Sequence, residues 1–143
     1  MVQKILIASD HAGLELKKLL INELRNLPWQ DLGTHNSDSV DYPDYAQLVC
    51  EKMLNEPTST VGVLICGSGQ GMAIKANRYE HIRAALCWSP EIAKLSKQHN
   101  NANILCLPGR FVDLSAAKNI LKSFLETEFE GGRHQRRVDK LKC

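Results

Sequence analysis

A cysteine followed by a glycine-rich turn is the feature of this sequence with the most evident chemistry. Residues 61–65 are almost wholly apolar and lead into Cys66, Gly67, Ser68, Gly69, Gln70 and Gly71. Continuous apolarity indicates a strand buried on both faces, which places Cys66 at a strand end beside the start of a helix. Such a position lowers a thiol pKa from about 8.5 and supplies a base or nucleophile. The alternative is a small packing residue, the role that we assign to Cys50, Cys87 and Cys106.

The glycine loop itself has two interpretations. Three glycines allow backbone N–H groups to turn toward a negatively charged oxygen at the start of the following helix. The loop matches neither nucleotide motif, because Met72 stands at the last glycine of a dinucleotide fingerprint and Met72-Ala73 stands where a P-loop needs Lys-Ser/Thr. A tight turn from strand to helix is the other interpretation.

Asp10 and His11 come directly after the first apolar run, residues 5–9. In open α/β sheets, ligands bind beyond the carboxyl ends of the strands. If both apolar runs form central strands, Asp10 and His11 project into one crevice with Cys66 and Ser68. As bystanders, Asp10 and His11 would only form a turn at the strand end.

His99 and the C-terminal arginines supply a second group of candidates. His99 closes a helix that begins near residue 91, a position that the helix dipole alone favours for a histidine. Arg133 and Arg137 follow a glycine pair at spacing i and i+4, so on a helix they would share one face and could clasp a phosphate. A solvated charged tail is the alternative for the two arginines.

The charge distribution gives these arginines a context. The chain of 143 residues carries 18 Lys and Arg against 16 Asp and Glu, a net charge of +2, yet residues 133–143 hold five of the basic residues and one acid. The rest of the chain is therefore net acidic, and no aromatic residue interleaves the basic cluster. Both facts argue against nucleic-acid binding.

Apolar periodicity predicts the elements that position these residues. We expect strands at residues 5–9, 29–32, 61–66, 82–87 and 103–107, and helices at residues 14–27, from about 44 onward, at 91–99 and at 113–126. Strands that alternate with helices through short connections indicate a parallel sheet between two layers of helices, the α/β class. The chain divides into one domain, residues 1–143, whose residues 130–143 form a basic arm.

Composition also suggests a compartment. No apolar run approaches the ~20 residues of a membrane span, and the first one is too short for a signal peptide. The five cysteines are odd in number and lack the spacing of zinc ligands, so they are interpreted as reduced thiols. We therefore expect a cytoplasmic protein without a membrane partner.

Taken together, the motifs resemble the ribose-5-phosphate isomerase B family of sugar-phosphate isomerases, which also contains galactose-6-phosphate isomerase subunits. The matching segments are residues 9–13, 41–43, 65–71, 96–100 and 130–135. They span nearly the whole chain in the family's order. The resemblance implies a Rossmann-like three-layer α/β/α sandwich with a central, mostly five-stranded parallel sheet. It also implies a homodimer whose active sites are shared between subunits, with no metal and no nucleotide cofactor.

The resemblance further implies a role for each matching residue. Cys66 matches the base that moves a proton between C1 and C2 of the open-chain sugar, and His99 matches a group that helps to open the furanose ring. Some relatives use a glutamate from the following helix instead of the cysteine, but that region here holds Lys75 and no acid. The substrate-binding positions are Asp10, His11, Gly67, Ser68, Gly69, Gln70, Gly71, Asn100, Arg110, Arg133 and Arg137, with the arginines chiefly at the phosphate.

The expected reaction is the interconversion of ribose 5-phosphate and ribulose 5-phosphate. Isomerisation of a six-carbon sugar phosphate, such as allose 6-phosphate or galactose 6-phosphate, is the alternative within the class. A nucleotide-binding module without catalysis is the alternative outside it. The sequence also leaves open whether His11 or His99 does most of the ring opening, and whether dimers pair into tetramers.

Overall fold

Five short segments form one parallel sheet in the computed structural model, which describes residues 1–142. The central strand has all seven residues buried, as its continuous apolarity predicts. The sheet has the order β2-β1-β3-β5-β4, and each neighbouring pair is parallel. In chain order the strands are β1 (Lys4–Ser9), β2 (Trp29–Asp31), β3 (Thr60–Cys66), β4 (Ala84–Leu86) and β5 (Ile104–Pro108).

Helices cover both faces of this sheet. They are α1 (Leu14–Glu23), α2 (Tyr42–Met53), α3 (Gln70–Ala76), α4 (Pro90–Asn100), α5 (Leu114–Glu126) and α6 (Arg133–Asp139). Side chains alternate along a strand, so Ile5 and Ile7 of β1 join the core under α1, α4 and α5, whereas Leu6 and Ala8 join the core under α2 and α3. The predicted three-layer α/β/α sandwich is therefore confirmed.

Two helices begin at the capping residues that the sequence offers. The Ser89 hydroxyl accepts a hydrogen bond from the Ile92 amide at 3.3 Å, and the Asp113 carboxylate accepts one from the Ala116 amide at 2.8 Å. Each bond satisfies one of the amides that the first turn of a helix leaves without a partner.

The helix predicted at residues 14–27 is shorter than expected, because α1 ends at Glu23. Leu24 and Leu27 still pack against the core, but they do so from hydrogen-bonded turns rather than from a continued helix. Pro28 disfavours the helical conformation at Leu27, the last residue of the apolar period.

The helix expected from about residue 44 begins earlier, and the residues that it buries are not the leucines that the sequence suggests. It starts at Tyr42, with Pro43 in the first turn, where the fixed φ of proline suits a helix start. Leu48 and Leu54 are exposed, whereas Ala46 and Val49 are buried.

The strand order creates a crevice between β1 and β3. The connection after β1 leads to β2 on one side, and the connection after β3 leads toward β4 on the other side. The connections diverge at the carboxyl ends of these two adjacent strands, which is where open α/β sheets bind ligands. Asp10 and Cys66 lie at this crevice.

Among residues 1–142, no helix is both long enough and apolar enough to cross a membrane.

Candidate active site

The structure brings Asp10 and Cys66 to the same edge of the sheet. Ser9 pairs with Ile65 in the ladder between β1 and β3, and the Asp10 amide donates to the Ile65 carbonyl at 3.2 Å. Asp10 and Cys66 are 7% and 5% exposed, so both groups are largely withdrawn from water. The Asp10 carboxylate also accepts a hydrogen bond from the Gly13 amide at 3.0 Å, which holds the turn that leads into α1.

The glycine loop connects Cys66 to α3. Gly69 has φ +76°, a left-handed conformation that glycine adopts without strain, and a Cβ on Gly71 would overlap the Tyr42 ring. The left-handed turn therefore explains Gly69, and the close approach of the Tyr42 ring explains Gly71. They do not explain Gly67, where a Cβ would meet only the flexible end of the Arg110 side chain.

Arg110 reaches this loop from the segment after β5. Its amide donates to the Gly67 carbonyl at 3.0 Å, and the Gly109 amide donates to the Cys66 carbonyl at 2.8 Å. The Ser68 hydroxyl accepts a hydrogen bond from the backbone amide of Gln70 at 3.3 Å. The side chains of Ser68 and Gln70 are both exposed. The Ser68 hydroxyl of the loop and the Arg110 guanidinium next to Gly67 thus lie close to Cys66 in the fold.

His11 is held by a backbone amide from the segment before α2. The Val40 amide donates to Nδ1 of His11 at 3.2 Å. An Nδ1 that accepts a hydrogen bond carries no proton, so the neutral ring holds its proton on Nε2. Nε2 of His11 is therefore a hydrogen-bond donor available to a ligand.

Substitution of Gly13 by alanine tests how closely the two strand ends must approach. A Cβ at this position would overlap the Ile65 backbone, so Gly13→Ala is expected to lower the free energy of unfolding by about 1–3 kcal/mol. Chemical denaturation measures the change. Gly67→Ala is the matched control, because its Cβ meets only the Arg110 side chain; equal stability of the two variants would contradict the prediction.

The four other predicted site residues lie at the opposite edge of the sheet. Because α4 connects two parallel strands, it begins at the carboxyl end of β4 and ends, with His99 and Asn100, at the amino end of β5. Cys66 pairs with Pro108, the last residue of β5. The length of β5, about 13 Å at roughly 3.3 Å per residue, therefore separates His99 from Cys66 within one chain.

Arg133 and Arg137 accompany His99 at this second edge. Both lie on α6, at i and i+4, and both side chains are exposed. The Glu130 amide donates to the Gln98 carbonyl at 3.1 Å, and the His134 ring stacks on the His99 ring, so the arm is docked on the end of α4. One chain thus presents two separate groups of candidate residues, one at each edge of the sheet.

The remaining described cysteines are buried thiols. Burial raises the pKa of Cys50 to about 12 and that of Cys87 to about 11, and it also raises the pKa of Cys106. These three side chains are therefore protonated at neutral pH, which suits packing residues. Cys143 lies outside the described residues.

Sequence reasoning missed Lys17, whose side chain is fully buried near the crevice between β1 and β3. Its Nζ donates to Asp31 Oδ1 and to the Thr34 carbonyl, each at 2.6 Å, and this fixes the segment after β2. Burial lowers the pKa of Lys17, while Asp31 raises it. The available signal was its helical position, three residues from both Leu14 and Leu20 on the apolar face.

The fold is that of an α/β protein with a thiol and a glycine loop at the switch point of its sheet, where proteins of this class bind ligands. Comparison with known proteins then gives the family. The family model described as Ribose/Galactose Isomerase matches residues 5–141, so the chain belongs to that family.

Individual relatives agree over almost the full length. The probable ribose-5-phosphate isomerase B of Mycoplasma genitalium is 46% identical over 140 residues, which cover 96% of this chain and 92% of the relative. A crystal structure of a ribose 5-phosphate isomerase from Thermotoga maritima is 51% identical with a TM-score of 0.93, and the match covers 97% of each chain. The M. genitalium ribose-5-phosphate isomerase B with bound ribulose-5-phosphate is 46% identical with a TM-score of 0.92, covering 96% of this chain and 93% of that one.

Proposed function

We propose that this protein interconverts ribose 5-phosphate and ribulose 5-phosphate. The observation that carries the proposal is the similarity to the M. genitalium enzyme, whose structure holds ribulose-5-phosphate and matches this chain over 96% of its length. The crevice supports the same function, because it offers the thiol and the hydrogen-bond donors that an aldose–ketose isomerisation needs.

Cys66 acts as the base in this mechanism. Its thiolate removes the proton from C2 of the open-chain aldose, and the electron pair moves through the C1–C2 bond to the aldehyde oxygen, which gives an enediolate. The thiol then returns the proton to C1 while the hydroxyl proton passes from O2 to O1, and the ketose forms. Loop donors from Gly67 to Gly71, with the Ser68 hydroxyl, hold the enediolate oxygens, where one such donor contributes roughly 10²–10³ in rate.

A homodimer completes the site. Cys66 and His99 lie at opposite edges of one chain, yet both are needed for a sugar that must be opened and then isomerised. In the dimer, the edge of one copy that carries Cys66 faces the edge of the other copy that carries His99. The crevice at Cys66 is then covered by the group from the other copy, which consists of His99, Asn100, Arg133 and Arg137.

Ring opening is assigned to His99, with His11 as the alternative. The step removes a proton from the C1 hydroxyl of the furanose and delivers a proton to the ring oxygen, and an imidazole can do both near neutral pH. Nε2 of His11, whose proton is fixed by the Val40 contact, suits a donor to a phosphate or hydroxyl oxygen. Asp10 and Arg110 bind the substrate from the same edge as His11.

Arg137→Ala is expected to raise the KM for ribose 5-phosphate by about 10- to 100-fold with little change in kcat. A charge-assisted hydrogen bond to a phosphate contributes about 1.5–3 kcal/mol and is made in the ground state and the transition state alike. Steady-state kinetics measure both constants. Arg136→Ala is the matched control, because the exposed Arg136 side chain projects from α6 on the side opposite to the buried His134 and Val138. An equal rise in KM in this control would contradict the phosphate clamp formed by Arg133 and Arg137.

The function is tested by assaying the purified protein with five- and six-carbon sugar phosphates. We expect turnover of ribose 5-phosphate and stabilisation of the fold by ribose 5-phosphate rather than by ATP or NAD. Turnover of allose 6-phosphate or galactose 6-phosphate alone would show that the substrate is a six-carbon sugar phosphate. A rise in Tm with nucleotides alone would show a nucleotide-binding module instead of an isomerase. A cytoplasmic location and one isomerase domain with a basic arm stay predictions from the sequence.

A further inference from the structure

The end of α4 and the arm meet through two stacked histidines. The His99 and His134 rings lie 4.3 Å apart between centroids, with 12° between their planes. His134 is only 5% exposed, whereas His99 is partly exposed. His134 and Val138 form the buried side of α6, so the contact is part of how the arm docks.

The Nε2 atom of His134 is buried and has no hydrogen-bond partner among residues 1–142. The nearest charge is the Glu130 carboxylate, whose Oε2 lies 3.4 Å from Nε2. A buried polar atom without a partner costs stability, so packing alone would favour an apolar ring at this position. What the imidazole does provide is a flat surface under His99.

Burial lowers the pKa of His134 below the ordinary value of 6.5, and the charges of His99, Arg133 and Arg137 lower it further, while Glu130 opposes them. His134 is therefore neutral at pH 7. A neutral ring can lie against His99 in either protonation state of that histidine, whereas two charged rings would repel each other. A neutral His134 therefore permits the stack whether or not His99 carries a proton.

A metal site is the other use for such a cluster. The donor atoms of His99, Glu130 and His134 lie within 4.8 Å of one another. Stacked rings direct their lone pairs along parallel planes that do not converge on one ion, and Arg133 and Arg137 add positive charge beside them. The arrangement suits ring stacking better than chelation.

We propose that His134 is a positioning residue, which holds the His99 ring by stacking in the orientation needed to open the furanose. The proposal rests on the proposed function. A partly exposed histidine rotates about two side-chain bonds, and a displacement of about 1 Å in an acid–base group can lower a rate by 10²-fold. The same helix carries Arg133 and Arg137, so the stack also fixes the distance between the ring-opening group and the phosphate clamp.

The test compares His134→Ala with His134→Phe. Phenylalanine keeps a flat ring and loses only the 3.4 Å approach of Nε2 to Glu130, because Nε2 makes no hydrogen bond to the described residues. Val138→Ala is the matched control, since it loosens the same buried side of α6 without touching the stack. Two rates are measured at saturating substrate: net conversion of ribose 5-phosphate, and uptake of solvent deuterium at C1 of ribulose 5-phosphate. The second needs proton transfer by Cys66 but no ring opening, because ribulose 5-phosphate cannot form a furanose.

We expect His134→Ala to lower net conversion by about 10- to 100-fold and to leave deuterium uptake within about 2-fold of wild type. His134→Phe is expected to retain most of both rates, and Val138→Ala to retain both. Equal loss of both rates in His134→Ala, no loss at all, or a His134→Phe variant as slow as His134→Ala would overturn the proposal. If the wild-type protein shows neither rate, the proposed function fails instead.

Discussion

Cys66→Ala is expected to lower the turnover of ribose 5-phosphate by about 10³-fold. A positioned base contributes roughly 10²–10⁴ to the rate of a proton transfer. No glutamate can replace the thiol here, because the region of the helix where some relatives carry that glutamate holds Lys75. Deuterium uptake at C1 of ribulose 5-phosphate should fall by the same factor, because both measurements depend on the same proton transfer.

The control for this variant is Cys50→Ala. Cys50 belongs to the same core under α2 and α3, and burial raises its pKa to about 12, so it supplies no thiolate at neutral pH. Cys50→Ala should therefore keep its turnover while it loses some stability. Cys66→Ala with wild-type turnover would eliminate the thiol as the base.

Mixing Cys66→Ala with His99→Asn is expected to restore activity that neither variant has alone. In a dimer with shared sites, the mixed dimer has one site with both substitutions and one site with neither. Random pairing makes half of the dimers mixed, so co-refolded protein should reach about one quarter of the wild-type rate. The gain is measured as turnover of ribose 5-phosphate after co-refolding equal amounts of the two variants.

The matched control combines His99→Asn with Arg137→Ala. Both substitutions fall in the group at the end of α4 and on α6, so each site of a mixed dimer keeps one of them, and the rate should not exceed the mean of the two separate variants. Two results would contradict sites shared between unlike edges. One is restored turnover in this control mixture. The other is no restored turnover in the Cys66→Ala and His99→Asn mixture when mixed dimers are present.

Much of the fold follows from local sequence pattern. The continuous apolar run of β3 predicts a central strand because only a strand covered on both faces tolerates it. Ser89 and Asp113 predict helix starts because their side chains satisfy amides of the first turn. Asp10 and Cys66 meet for a general reason, since parallel strands share one carboxyl edge.

The rest of the site depends on contacts between distant segments. Sequence spacing does not reveal that Lys17 donates to Thr34 or that His134 lies under His99, because the partners come from elements far apart in the chain. The spacing of Lys17 from Leu14 and Leu20 places it on the apolar face of α1, but it does not reveal Asp31, the partner that β2 supplies. The direction of β5, and not the motifs, decides that His99 lies at the edge opposite Cys66, because α4 ends where β5 begins.

The most direct test of the account is conversion of ribose 5-phosphate by the purified wild-type protein in D₂O. An enediolate intermediate predicts ribulose 5-phosphate with deuterium from solvent at C1 in at least part of the product, and loss of both product and label in Cys66→Ala. Unchanged ribose 5-phosphate, or ribulose 5-phosphate formed just as fast by Cys66→Ala, would contradict the central claim that Cys66 isomerises this sugar phosphate through an enediolate.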